Sequence, residues 1–341
     1  MPDAIEYFHR TVPLPGETIE VRPGVHWLRM PLPFRLDHIN LWLLEDGAGW
    51  TIVDTGLFSM ETIALWERIL ADGLGGRPVT RVLVTHFHPD HVGMAGWLCK
   101  KLDVPLWMTQ TEWLWARSWS LDKDPTVYDH QAAFLHRTGC PPTLLARTRH
   151  DSPRYPTLVS PIPRAFTRLR DGGTVEIGGR DWAVIVGTGH APEHACLYCA
   201  ELDLMISGDQ VLPKITPIVA VEINEPDANP LDDFLATIET LRRVPAETDL
   251  LPSHNLPFSG LHERLDQLRR HHDDRLDRFL DACTRPMTAM ELSDAIFTSP
   301  MDSQNVTFAI GETVAHLNYL CRRGSMVRET RDDGVHLYDR S

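Results

Sequence analysis

Short apolar runs and helically spaced apolar positions take turns along most of the chain, and their order predicts its elements. Val25 to Met30 and Ile39 to Leu44 are apolar runs of strand length, with Glu45-Asp46-Gly47 as the turn that follows. Trp50 to Val53 is a further strand that runs into Asp54-Thr55-Gly56. Ile63, Trp66, Leu70 and Leu74 have helical spacing and end in glycines, which predicts a helix over 60–74. Arg81 to Thr85 is a short β-branched run, 92–102 reads as a helix, and Val104 to Met108 reads as another strand. Strand signals resume at Thr174 to Ile177, Trp182 to Val186 and Leu204 to Gly208; a helix over 231–243 precedes a last strand from Leu250. From Leu261 the pattern turns helical, with Leu265, Leu268, Leu276, Leu280 and Cys283 on one face. Helices over 288–297 and 311–323 and a hairpin over 325–338 close the chain.

Residues 109–165 break this rhythm and read as a helical insertion. Trp113, Trp115 and Trp119 crowd one segment, and Tyr128, Phe134 and His136 follow in a helix-like stretch. Such a segment could wall a pocket for an apolar or aromatic substrate, with Trp113, Trp115 and Tyr128 as contacts; equally, its indoles could only pack it onto the domain. Overlapping it, Arg147, Arg149, Arg154, Arg164, Arg168 and Arg170 face one acid, Asp151, a net +5 over 24 residues. A solvated loop explains that cluster. The sharper reading is a docking surface for the anionic end of a substrate, with Arg164 and Arg168 as candidates.

Composition narrows the class. The 341 residues are 43% hydrophobic and 23% charged, enough for one large domain (1–260) and a small one (261–341). No apolar run approaches the ~20 residues of a membrane span. The first residues carry neither a basic stretch nor an apolar one, so the expectation is a cytoplasmic protein. Six scattered cysteines fit reduced thiols, and Cys196 and Cys199 fall on a strand, where residues three apart face opposite ways. A net charge of −14 argues against nucleic acid or anionic membrane as a general partner and leaves a small-molecule substrate.

The chemistry concentrates in Thr85-His86-Phe87-His88-Pro89-Asp90-His91-Val92-Gly93. On an extended segment His86 and His88 share a side, so both can reach one metal ion. Asp90 and His91 lie past the turn at Pro89 and suit a second ion. Further donors recur at predicted strand ends: His190 after Gly187-Thr188-Gly189, Asp209 after Gly208, and His254 after Ser253. Imidazoles and carboxylates together suit zinc, with iron or manganese admitted by the oxygen-rich share.

His86-x-His88-x-Asp90-His91 followed by His190, Asp209 and His254 resembles the metallo-β-lactamase-fold hydrolases over roughly 20–258, and Asp54-Thr55-Gly56 is similar to that family's early turn. The resemblance implies an α+β, four-layer αββα sandwich with a dinuclear site at one edge. It implies that His86, His88 and His190 bind the first of two divalent ions, that Asp90, His91 and His254 bind the second, and that Asp209 bridges them. Asp90 would also orient the nucleophile, Asp54 would fix a ligand histidine, and His194 would support the site from behind. A bridging Asp209 is absent from true β-lactamases of the fold, and His88 stands where flavodiiron reductases have a carboxylate. What remains is hydrolysis of a thioester, as in acyl thioesterases and hydroxyacylglutathione hydrolases, or of a lactone. Phosphodiesterase or endoribonuclease action, or a ligand-binding regulator with little turnover, are the alternatives. The tail resembles a winged-helix module. From Leu261 on, however, it holds 11 Arg and no Lys against 14 acids, so packing or homodimer formation suits it better than reading DNA. His271-His272 reads as a solvated or interdomain pair.

Overall fold

Seven strands follow the order of the chain in the first sheet of this computed structural model, which describes residues 5–122, 124, 126–151, 155–297 and 306–341, with backbone only for 147–151. They are β1 (Thr18–Arg22), β2 (Val25–Pro31), β3 (His38–Asp46), β4 (Gly49–Val53), β5 (Val79–Leu83), β6 (Leu106–Met108) and β7 (Thr167–Arg168). Hairpin-linked β1 to β4 pair antiparallel; β4 to β7, joined through helices, pair parallel. The second sheet holds β8 (Thr174–Ile177), β9 (Arg180–Gly187), β10 (His194–Cys199), β11 (Leu204–Gly208) and β12 (Asp249–Pro252), in the order β12-β11-β10-β9-β8.

The pleat sends alternate residues of the first sheet to two different cores. Val25, Trp27, Trp42, Leu44, Val53 and Leu83 face the second sheet and pack with Val175, Trp182, Val184, Leu197, Leu204 and Ile206. Leu28, Met30, Leu41, Leu43, Ile52 and Val82 face the other way, onto Trp66 and Ile69 and onto Ala95 and Leu98 of the helix Ala95–Leu102. Both faces are covered, which is why these strands read as near-continuous apolar runs. The result is the α+β sandwich expected from the sequence. The predicted helix over 60–74 is α-helical for Met60–Arg68 and widens to a π turn over Ile69–Gly73. The stretch over 92–102 begins earlier, as a single turn at Pro89–Val92.

By packing, the chain forms two compact units. One unit comprises Met1–Lys123, Arg154–Pro217 and Arg242–Leu265; the other comprises Asp124–Pro153, Ile218–Leu241 and Asp266–Ser341. The insertion is helical, but its helices divide between them. Gln110–Leu121 and Tyr155–Leu158 lie in the first unit, and Val127–Arg137 and Pro142–Asp151, with Tyr128, in the second. The second unit also holds Pro230–Leu241, most of Leu261–Ala282, Ala289–Ile296, Val306–Arg322 and a hairpin of β13 (Met326–Thr330) and β14 (His336–Arg340). Thr288 and Glu291 close a reciprocal cap on Ala289–Ile296. The His271-His272 reading needs correction at its second member. His272 is fully buried beside Phe234 and His316, because its apolar face points into this unit. Among the described residues no helix is long and apolar enough to cross a membrane.

Candidate metal centre

Every donor singled out in the sequence sits at or just past the end of a strand, on one edge of the sandwich. Asp54 follows β4, the His86 to His91 loop follows β5, His190 follows β9, Asp209 follows β11 and His254 follows β12. Rigid strands in register therefore fix donors that are far apart in sequence.

The Asp54-Thr55-Gly56 turn holds the metal loop. Asp54 is buried in the left-handed region (φ 60°), a conformation in which a non-glycine residue marks a special backbone site. Its carboxylate accepts from the Thr85 amide (2.8 Å), the Thr85 hydroxyl (2.9 Å) and His91 Nδ1 (2.8 Å). A carboxylate only accepts, so His91 Nδ1 carries a proton and Nε2 is the ring nitrogen left to face the other donors. The Thr55 amide and hydroxyl both donate to the His91 carbonyl (2.8 and 2.5 Å). Gly93 is required for this approach, since a Cβ there would lie 2.3 Å from the Pro89 carbonyl oxygen and 2.6 Å from that of Gly56.

The donors form two sets. In the first, His86 Nε2 lies 2.8 Å from His88 Nδ1 and 3.3 Å from His190 Nε2, and His190 Nε2 lies 3.5 Å from Asp209 Oδ2. In the second, His91 Nε2 and His254 Nε2 lie 3.8 and 3.5 Å from Asp90 Oδ2. Asp209 stands between the sets, with His91 Nε2 3.5 Å from one oxygen and His254 Nε2 3.3 Å from the other. Burial, with like-charged neighbours added, holds His86 and His88 well below the ordinary histidine pKa, which keeps them neutral as ligands must be. Burial also works against a charge on His91, but Asp54, Asp209 and Asp90 outweigh it and push that histidine well up. The second set is thus a negative cage that calls for a cation.

The residues fit two divalent ions on a further observation. His91 Nε2 and Asp209 Oδ1 are buried with no hydrogen-bond partner among the described residues, and both lie within 4 Å of other donors of the second set. Outer groups fix the remaining donors. His254 Nδ1 donates to the His38 carbonyl (2.9 Å), while the His38 ring accepts from the Asn255 amide (3.0 Å). His194 is buried, and its Nε2 accepts from the Asp209 amide (3.1 Å), so it positions that aspartate. Gly208 makes room for it, because a Cβ there would lie 2.4 Å from the His194 ring.

The other candidates have different surroundings. Trp115 and Trp119 pack on Phe87 (5.1 and 5.0 Å between rings), itself 4.6 Å from the His88 ring, so they line the loop beside the first set. Trp113, on another side of the same helix, stacks on Phe166 (4.5 Å) and donates to the Pro163 carbonyl, which is a packing role. Arg164 borders a cleft of about 540 Å³ lined by Trp97, Ile162 and Val104, none of them a donor residue. Arg168 is exposed on β7, paired with Met108. Arg147, Arg149 and Arg154 lie outside the described side chains. Two residues that sequence reasoning passed over meet the metal loop: Glu112, a fully buried acid, and Tyr155, whose hydroxyl donates to the Phe87 carbonyl (2.5 Å). Glu112 had one visible signal, an acid on the same helical stripe as Ala116.

Residues 35–254 match the metallo-beta-lactamase superfamily, and 276–341 match the metallo-beta-lactamase-like C-terminal domain. The chain belongs to the metallo-beta-lactamase superfamily and is a metallo-hydrolase by that membership. It is 44% identical to a beta-lactamase domain protein from Burkholderia ambifaria, with a TM-score of 0.92 over 99% of this chain and 98% of that one. It is 24% identical over 311 residues to the probable metallo-hydrolase YqjP of Bacillus subtilis, covering 86% of this chain and 91% of that protein. The acyl-coenzyme A thioesterase MBLAC2 of Bos taurus is 25% identical over 195 residues, 55% of this chain and 63% of the relative.

Proposed function

We propose that the chain hydrolyses a small-molecule thioester at a dinuclear metal site. The observation that carries the reading is the placement of the Asp209 carboxylate between two complete donor sets: His86, His88 and His190 on one side, Asp90, His91 and His254 on the other. When bound, two divalent ions, zinc by donor chemistry with iron or manganese as substitutes, would supply a hydroxide nucleophile at neutral pH and polarise the carbonyl it attacks. Asp90 is the most exposed carboxylate of the set, its side chain 20% accessible against 10% for Asp209 and 1% for Asp54. That exposure suits it to accept a hydrogen bond from the nucleophile and turn the lone pair toward substrate.

Two observations support an acyl substrate over other esters. Trp115 and Trp119, half-buried and packed on Phe87 beside His88, offer an apolar wall that suits an acyl chain. The bovine relative, though it aligns over part of its length, is named for thioesterase activity. The test is elemental analysis of the purified protein followed by a panel of thioesters, lactones, phosphodiesters and RNA. About two metals per chain with thioester turnover supports the proposal. Two metals with turnover confined to phosphodiesters or RNA would overturn the substrate, and no metal after reconstitution would overturn the site.

A further inference from the structure

The first turn of the helix Gln110–Leu121 reaches both strands of the first donor set at once. Glu112 is fully buried, and its two oxygens serve different segments. One accepts from the Phe87 amide (2.9 Å), the peptide between His86 and His88. The other accepts from the Glu193 amide (2.6 Å), three residues past His190. The same junction is closed from the other side. The Glu193 carboxylate accepts from the Thr111 amide (2.8 Å), and the Thr109 hydroxyl donates to the Glu193 carbonyl (2.7 Å). The Tyr155 hydroxyl holds the Phe87 carbonyl, so both polar groups of that residue's backbone are fixed.

We infer that Glu112 is a positioning residue that sets the spacing between the His86/His88 segment and the His190 segment, and through it the cation affinity of the first donor set. The inference rests on the metal-site reading above. Its physical basis is that the two carboxyl oxygens accept amide protons from two different ligand-bearing segments, so one side chain ties those segments together. Burying a lone acid is costly, and its retention on a stripe otherwise turned to the core is explained by the two amides it satisfies. No other described side chain accepts from either of these amides, whereas each ligand histidine has neighbours in its own set.

Glutamine at 112 keeps the shape but offers one acceptor, and turns an NH₂ group toward the other amide. Glutamine at 193 keeps the acceptor that the Thr111 amide needs. The pair therefore separates geometry from charge. The experiment titrates zinc against a chromophoric chelator in the wild-type chain, in Glu112→Gln, Glu112→Asp and Glu193→Gln, and in each again with His254→Ala. That background removes a donor of the second set, so that the tighter zinc reports the first. Cobalt spectra and metal-free melting temperatures are recorded alongside. We expect Glu112→Gln to weaken the first zinc at least about tenfold and to alter its cobalt spectrum, as loss of a group that orients ligands does. Glu112→Asp, too short to span both amides, should weaken it in the same direction, and Glu193→Gln should remain within about twofold of its parent. Zinc affinity within twofold in both Glu112 variants overturns the inference, as does an equal loss in Glu193→Gln. If Glu112→Gln fails to fold, Glu112→Asp decides alone. Failure of the wild-type chain to bind zinc would count against the metal site itself, a separate outcome.

Discussion

Asp54 illustrates how one side chain can set the chemistry of another. Its carboxylate holds a proton on His91 Nδ1, which leaves Nε2 as the ring nitrogen for a cation. Asp54→Asn would keep an oxygen for the Thr85 amide but set an NH₂ group against His91, favouring the wrong tautomer. Turnover should fall about 10- to 100-fold with loss of one metal per chain, read by steady-state kinetics and elemental analysis. His88→Ala and Asp209→Ala remove donors outright and should abolish turnover and lower metal content; full activity in either would refute their roles. At this scale the sequence was most legible where chemistry is dense. The histidines and aspartates sit at fixed spacings, so their type and order disclose them. Glu112 and Tyr155 stayed hidden because their partners are backbone groups, and no spacing rule encodes a carboxylate that meets two amides 25 and 81 positions away.

At the scale of elements, periodicity located the strands well because both faces of the first sheet are buried and leave long apolar runs. It was weaker in the insertion. Three indoles at 113, 115 and 119 look like one cluster, yet helical geometry turns Trp113 onto Phe166 while Trp115 and Trp119 share the Phe87 side. Only the latter two should therefore affect substrate. Trp119→Ala should raise KM for long-chain acyl thioesters roughly tenfold, about the effect of losing an apolar contact, with little change for an acetyl thioester. Equal effects on both chain lengths would show that the wall holds the loop and not the acyl group. The junction of β11 with Asp209 gives a second prediction. A Cβ at Gly208 would meet the buried His194 ring, and the residue is held at φ 54°. Gly208→Ala should cost on the order of 1–3 kcal/mol of stability and displace Asp209, seen as a lower melting temperature together with reduced zinc content.

Across the whole molecule, charge divides into a surface excess and a few buried exceptions. The −14 net charge predicts that thioester KM will not rise steeply with salt, unlike a phosphate-reading enzyme. The buried exceptions predict how stability responds to acid. His316 Nδ1 donates to the Glu312 carbonyl (2.7 Å), and its Nε2 accepts from His272 Nδ1 (3.1 Å), which fixes both rings neutral. His272 Nε2 is buried with no hydrogen-bond partner among the described residues, and Arg275 pairs with Glu312 beside it, so a further proton would be a second cation in an apolar place. Burial first, then crowding by His316, His271 and Arg275, pulls His272 from 6.5 down to about 2; burial pulls His316 down to about 3. Unfolded, both would take a proton near pH 6.5. The unfolded chain thus binds more protons as pH falls, and the stability these two rings lend is complete above 6.5 and drains away from 6.5 down to about 3 for His316 and about 2 for His272. Each neutral ring contributes at most about 1.4 kcal/mol per pH unit over that range. Denaturant melts of metal-free protein at pH 8, 7, 6 and 5 should show the unfolding midpoint of the wild-type chain falling faster with acid than that of His272→Phe. Metal-free samples keep release of cations from the donor sets out of the comparison. Parallel curves would mean that the pair is already solvated or protonated in the folded chain, and that the acid sensitivity lies with the histidines of the metal site.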